Sequence, residues 1–199
     1  MKTLDEYLEM AAERHGHMCP GQVLGVRMAM LGLNEIGIQN PETERKRLLT
    51  FVEIDRCATD AVSLVTGCRL GKRSLKFFDF GKVAATFLDL ATSRAVRIVA
   101  REDSRVWAKS MYAELANPAA QQLAAYKVME DADLFLVTPV RVALKSEDMP
   151  GQARSRVLCD SCAESVNDGR VRVHNGRLVC RACAGERYYE NLTAHSVSR

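Results

Sequence analysis

Apolar positions near the start of the chain recur at helical spacing. Leu4, Leu8, Ala11 and Ala12 form one side of a helix running to about Arg14. Thr3 with Glu6 three residues on is a capping box that opens it. A second helix is predicted from Pro20 to Ile36, with Val23, Leu24, Met28, Leu31 and Leu33 inward and Gly37 as its stop. Gly21, Gly25 and Ala29 give that helix a stripe almost without side chains, which suits close packing inside one domain. Asn40-Pro41 and the charged run Glu42, Glu44, Arg45, Lys46, Arg47 read as a solvated connection.

The period then changes. Residues 48–54 are rich in β formers and read as a strand, with a short helix at 60–66 closed by Gly67. Strands are predicted at 75–80 and 82–88, joined at Gly81-Lys82, and at 95–100. Asp103 to Ala116 is helical, with Val106, Trp107, Met111 and Leu115 on one face, and Asn117-Pro118 starts another helix. Residues 134–142 form an apolar run that reads as a buried strand. Helices and strands alternate without a repeating βαβ unit, so the fold class is α+β: a mixed sheet packed with helices over residues 1–143. Residues 144–155, polar and carrying Pro150-Gly151, read as a linker, and residues 156–199 as a separate small module.

Composition narrows the function classes. A formal charge of +3 is too small to argue by itself for nucleic acid. No apolar run reaches the roughly 18 residues that span a membrane, and acid at Asp5 and Glu6 comes too early for a signal peptide, so a cytoplasmic protein is expected. Seven cysteines are many for a compartment in which disulfides rarely persist. Four of them, Cys159, Cys162, Cys180 and Cys183, make two C-x-x-C pairs separated by 17 residues. Two such knuckles bring four thiolates to one point, the pattern of a structural zinc in a zinc ribbon or treble clef. The stretch between them reads as a hairpin turning at Asn175-Gly176. His174 lies on that hairpin and is not needed as a ligand, and a helix carrying Arg187, Tyr188 and Tyr189 is expected after Cys183. So small a module gains its folding energy from the metal.

The other three cysteines need a different account. Residues 15–21 read His15-Gly16-His17-Met18-Cys19-Pro20-Gly21. Cys19 is the expected N-cap and Pro20 the first helical residue, so backbone N–H groups lie beside the Cys19 thiol and favour its thiolate. His17, Cys19 and Cys57 make the preferred ligand set for zinc or another transition metal, with His15 the alternative imidazole. Three protein ligands leave a position for water or substrate. Asp55 and Asp60 flank Cys57, and either is placed to orient an imidazole or act as a base, which makes Cys19 and Asp60 the candidate catalytic pair. Cys68 reads as a buried thiol.

Four segments in order, His15 to Gly21, Asp55-Arg56-Cys57-Ala58-Thr59-Asp60-Ala61, Thr66-Gly67-Cys68-Arg69-Leu70-Gly71-Lys72 and Asp79-Phe80-Gly81-Lys82, resemble the FmdE family, named for a component of formylmethanofuran dehydrogenase. The resemblance is strong to about Phe87 and weaker to about Val142. It implies an α+β domain, often a homodimer, with a metal or reactive site at the first segment. It also implies association with molybdenum or tungsten oxidoreductase subunits. No ferredoxin-type cysteine run is present, so cluster chemistry would belong to those other chains. Three functions therefore stand: a metal-binding accessory protein of such an oxidoreductase, a stand-alone zinc-dependent enzyme, and a metal- or ligand-sensing regulator. The last would contact nucleic acid or polymerase through its zinc finger, with Arg69, Lys72, Arg73 and Lys76 as a basic stretch.

Overall fold

A computed structural model describes residues 1–192, which fall in two compact units, one of residues 1–143 and one that begins at Leu144. In the first unit α1 (Leu4–His15) begins at the Thr3/Glu6 capping box and ends at Gly16 in the left-handed region. Helix α2 (Pro20–Ile36) has Cys19 as N-cap, Pro20 at its start and Gly37 at φ 79° as its C-cap. The charged connection contains one helical turn, α3 (Pro41–Glu44), because the Asn40 side chain accepts the N–H groups of Glu42 and Thr43. Then follow β1 (Leu48–Val52), α4 (Cys57–Thr66), β2 (Leu75–Phe77), β3 (Ala84–Asp89) and β4 (Ala95–Ala100). Helices α5 (Asp103–Met111), α6 (Pro118–Val128) and α7 (Asp131–Leu134) lead into β5 (Phe135–Pro139).

The sheet order is β2-β1-β3-β4-β5. Strands β1, β3, β4 and β5 pair antiparallel, and β2 joins β1 in parallel, Thr50 opposite Leu75. This corrects the hairpin expected at Gly81-Lys82: β2 and β3 lie on opposite sides of β1 and do not pair. Glu53 carries the crossing, its carbonyl accepting the N–H groups of both Phe80 and Lys82. Strand β5 is shorter than its apolar run suggested, and it is an edge with Leu136 exposed. Pro139 fits there because an edge position tolerates a missing N–H. Helix α5 stops at Met111 and buries Ser104 and Ala108, leaving Val106, Trp107 and Met111 at the surface instead of inward.

Helix α2 is the centre of the unit. It packs against α1, α4, α6 and the strands β3 and β4. Val23, Val26, Met28, Ala29 and Leu33 are buried in it. The small-residue stripe sets how closely its neighbours approach. A Cβ at Gly25 would sit 2.4 Å from the Ala58 carbonyl oxygen and 2.7 Å from the Ala61 Cβ, and one at Gly32 would overlap the Phe87 ring. The stripe is therefore used inside the domain.

Two buried ion pairs tie the sheet. Arg97 holds Glu53 through both carboxylate oxygens, at 2.6 and 2.7 Å. Arg47 does the same for the fully buried Asp89, which also accepts from Thr92 Oγ1 at 2.6 Å and the Ala91 N–H at 3.0 Å. The Arg47 guanidinium is the main reason the Asp89 carboxyl lies well below the ordinary carboxylate range.

In the second unit β6 (Arg156–Leu158) pairs with β7 (Ser165–Asn167), and β8 (Val171–His174) with β9 (Arg177–Cys180). Asn175 and Gly176 both have positive φ, 49° and 75°, the two-residue turn their sequence favours. Residues 144–155 belong to this unit rather than standing free of it. The Arg154 N–H reaches Asp168 at 2.7 Å and Asp148 reaches Arg170 at 3.1 Å. The helix expected after Cys183 is absent among the described residues, where Arg187, Tyr188 and Tyr189 lie in irregular backbone. The rest of that expectation, beyond residue 192, lies outside the described residues.

Gly25→Ala should lower stability by about 2–3 kcal/mol in urea unfolding, since backbone and not a pliable side chain occupies the space. The depressed Asp89 pKa contributes stability that is complete above the unfolded carboxylate value of about 3.9. That contribution is lost as pH falls through it toward the folded value. Asp89→Asn should therefore flatten the acid limb of a stability-against-pH curve.

Candidate metal centres

The chain break between α1 and α2 builds the first centre. Helix α1 runs one residue further than its apolar pattern shows, so His15 is its last residue. Gly16 at φ 89° reverses the backbone, and His17 and Met18 form an irregular link to the N-cap Cys19. That reversal folds the segment on itself. Ligand atoms of His15, His17 and Cys19 all lie within 4.8 Å of one another, and the two imidazole rings are 4.9 Å apart. Two imidazoles and a thiolate are a donor set that suits zinc and its neighbours. His15 Nδ1 lies 3.1 Å from Asp60 Oδ2. A carboxylate that accepts Nδ1–H leaves Nε2 as the lone-pair face and fixes the ring. Asp60 thus orients His15, one of the two roles its position suggested. Asp55 is exposed nearby.

Cys57 is the residue whose placement differs most from the sequence reading. It is the first residue of α4, which starts three residues before the helix expected at 60–66, and Arg56 is the N-cap. It is not one of the three gathered ligands, although it is their neighbour. Gly21 leaves room for the two cysteines to lie close: a Cβ on it would be 3.1 Å from the Cys57 Cβ and 3.8 Å from Cys19 Sγ. Burial, and then the adjoining Cys19 thiol, push the Cys57 thiol above its ordinary value. Cys19 makes no side-chain hydrogen bond to the start of α2, so a cap bond does not occupy its sulfur. Cys68 is a core thiol, 1% exposed, to which Thr50 Oγ1 donates at 3.4 Å; burial raises its pKa.

Two further residues position this centre, Gln22 outside the four segments and Thr59 within the second. Buried Gln22 donates from Nε2 to the Cys57 carbonyl at 2.7 Å, tying the start of α2 to that of α4. Thr59 Oγ1 donates to the Ile54 carbonyl and fixes the turn that launches α4. A lone glutamine in an apolar helix was the available sequence signal for the first. Beside the centre is a pocket of ≈ 490 Å³, lined by His15, Cys57 and Asp60 together with Val52, Ile54, Leu70, Leu75 and Phe77. It lies where the parallel pair β1 and β2 ends, a common place for ligand clefts in sheets with parallel strands.

The second centre is the four-cysteine set. Cys159 and Cys162 lie in the β6–β7 turn, and Cys180 and Cys183 at the end of β9, with all four sulfurs within 4.8 Å of one another. Backbone N–H groups point at the sulfurs: Cys180 N lies 3.2 Å and Ser161 N 3.4 Å from Cys159 Sγ, and Cys183 N 3.4 Å from Cys180 Sγ. The N–H groups of Cys162 and Cys180 hold the Cys159 thiol down at about 6, while burial and the neighbouring thiols push Cys162 up to about 12. Ionisation of the whole set calls for a cation. The cluster can hold a metal ion and fits a zinc ribbon. His174 is exposed on its hairpin, apart from that set.

The family model for FmdE, described as molybdenum formylmethanofuran dehydrogenase operon, matches residues 14–138. The chain belongs to the FmdE family. A protein of Archaeoglobus fulgidus described as a probable S-adenosyl-L-methionine-binding protein is 36% identical over 117 residues, 57% of this chain and 32% of that protein. The aligned stretch is thus about a third of the relative's length. The crystal structure of an FmdE-like protein of tungsten formylmethanofuran dehydrogenase from Syntrophus aciditrophicus is similar with a TM-score of 0.61 at 22% identity. That similarity covers 95% of this chain and 96% of that one, and it shows a shared fold. No helix among the described residues is long and apolar enough to cross a membrane.

Replacing Asp60 by alanine should weaken divalent-metal binding at the His15/His17/Cys19 set by about 10–100-fold, because an unheld imidazole loses orientation and basicity. Competition with a chromophoric chelator reads this. Uptake by the four-cysteine set serves as the internal control.

Proposed function

We propose that this FmdE-family protein binds two metal ions of unlike purpose and serves as an accessory partner of a molybdenum or tungsten oxidoreductase of the formylmethanofuran dehydrogenase type. The C-terminal set takes a structural zinc, closed by four thiolates. The N-terminal set takes zinc or a similar transition ion through His15, His17 and Cys19, with one position left open. The meeting of those three ligand atoms within 4.8 Å, with Asp60 behind His15, carries this reading. A bound ion there would act as a Lewis acid toward a ligand or activate water. The chain's own part is to hold the imidazoles, to keep Cys57 close to Cys19, and to offer a sheltered pocket alongside. The partner role draws on the family and on the name of the structurally similar protein. The basic segment from Arg69 to Lys76 gives little support to a nucleic-acid role. Lys76 lies within a strand, and Leu70–Lys72 is a tight 3-10 turn beside the pocket.

One observation favours a second reading, a metal-dependent enzyme acting alone. The pocket is of a size that takes a small molecule, and it adjoins His15 and Cys57. Asp60 is engaged with His15, so exposed Asp55 is then the better placed base.

Metal analysis of protein purified without chelators should give about two ions per chain, one for each cluster. Cys19→Ala should reduce this by one and leave the second unit folded. A count of one, unchanged by Cys19→Ala, would sink the N-terminal reading. Co-expression with the catalytic chain of such an oxidoreductase, followed by gel filtration, separates the accessory role from the solitary enzyme.

A further inference from the structure

The ≈ 490 Å³ pocket has a lining of two kinds. His15, Cys57 and Asp60 bring polar and ligating groups, and Val52, Ile54, Leu70, Leu75 and Phe77 bring apolar surface. Leu70 is 63% exposed and Phe77 is 42% exposed. Two large apolar side chains left in water beside a cavity are a feature that a ligand would cover. The charged lining decides against some ligand classes. Asp55 and Asp60 are both acidic, and Arg56 is the one arginine or lysine among the described residues that line the pocket. The side chains alone offer a phosphate two carboxylates and one guanidinium, so its attraction would have to come from the ion, whose soft donor set favours sulfur over phosphate oxygen. A sugar would leave its hydroxyls against Val52, Ile54 and Leu75, where side chains offer no partner.

Of the three gathered ligands His15 lines the pocket, and it joins the pocket to the metal set. The three gathered ligands include a thiolate and two imidazoles, and a metal held by such a set accepts sulfur readily. The geometry points to a small thiol with an apolar, ring-sized body as the ligand of this pocket. Its sulfur lies toward His15 and Cys57 and its body against Ile54, Leu75 and Phe77. This rests on the metal reading of the N-terminal centre and goes beyond it by naming what fills the space next to that centre. On binding, the thiol would give its proton to solvent, and its sulfur would serve as a further donor to an ion held by His15, His17 and Cys19. Nothing is oxidised or reduced. The apolar body then covers Phe77 and Leu70.

Three probes separate the contributions in the full chain loaded with cobalt(II). They are 2-phenylethanethiol, its oxygen analogue 2-phenylethanol, and 2-mercaptoethanol, which has the sulfur without the ring. Metal content is measured first, with and without Cys19→Ala. Cobalt at the N-terminal set and at the four-cysteine set tests the reading beneath this one, and a chain that takes none at the first set overturns both. With that set loaded, 2-phenylethanethiol should raise the near-ultraviolet sulfur-to-cobalt absorption, while the four-cysteine centre, already closed, does not respond. Its dissociation constant should be at least about tenfold below that of either control. That ratio corresponds to about 1.4 kcal/mol, a modest share of what burying a ring-sized body supplies. Leu70→Asp should remove most of that advantage without changing metal content or the cobalt spectrum before ligand is added. Equal affinity for 2-mercaptoethanol would show that the pocket contributes nothing. Equal affinity for 2-phenylethanol, with no spectral change, would show an apolar cavity unconnected to the ion. Either result overturns the assignment, as does wild-type affinity in Leu70→Asp.

Discussion

The close crossing of α2 over α4 is the constraint on which the rest of the first unit depends. Helix axes approach this closely only where a side chain is missing, and Gly25 provides that against the Ala58 backbone. One turn earlier Gly21 does the same against Cys57. Both helices begin at this contact. Cys19 is the N-cap of one and Cys57 the first residue of the other, so two cysteines 38 positions apart become neighbours. Gln22 then fastens the arrangement by donating to the Cys57 carbonyl from a fully buried position. The crossing also brings the positive ends of two helices to one place, a setting that stabilises nearby negative charge. Against this stands the burial that raises the Cys57 pKa. A cation among these residues would resolve the conflict.

Much of this was readable from the chain because its punctuation is local. Pro20 and Gly37 set the ends of α2, and Asn175-Gly176 set the turn of the second hairpin; each depends on backbone geometry at a single residue. The two C-x-x-C pairs were legible for the same reason. Other features depended on partners distant in sequence. Strand β2 carries nothing to tell that it joins β1 in parallel, since the alternation of a three-residue strand suits either neighbour. The apolar run at 134–142 looked buried, yet β5 is the last strand and one of its faces has no layer above it. In α5 the large residues look like a core face, but small Ser104 and Ala108 make the close contact with the rest of the domain. Helix contacts that require closeness select small residues, and apolarity alone does not report that.

The ligand set shows the limit most clearly. An extended segment puts His15, His17 and Cys19 on one face, spread along the strand, and a helical one brings His15 and Cys19 together without His17. The segment is both. His15 ends a helix, Gly16 reverses the chain, and Cys19 starts the next helix from extended backbone. All three residues therefore converge, which neither regular geometry alone would give. The link from Asp60 to His15 was open to sequence reasoning only as one of two possible acids. Its position on the first turn of α4, on the side facing α1, decides the choice.

The two clusters also differ in what they can do once loaded, and charge explains why. A divalent ion among four thiolates is formally dianionic. Backbone N–H groups of Ser161, Cys180 and Cys183 then stabilise the excess negative charge, and no acceptor position remains. Such a centre is a clamp for two hairpins. A divalent ion held by two neutral imidazoles and one thiolate is formally cationic, and beside a pocket with apolar walls that charge is poorly screened. It would draw in an anionic donor. Cys57 is the nearest internal candidate, and if it bound, the centre would become neutral and saturated. The position of Cys57 at the start of α4, pinned through its carbonyl by Gln22 and brought close to Cys19 across Gly21, therefore decides between a reactive centre and a second structural one. A thiol entering from the pocket would place at the ion the same chemical group that Cys57 carries, and the two would compete for one position.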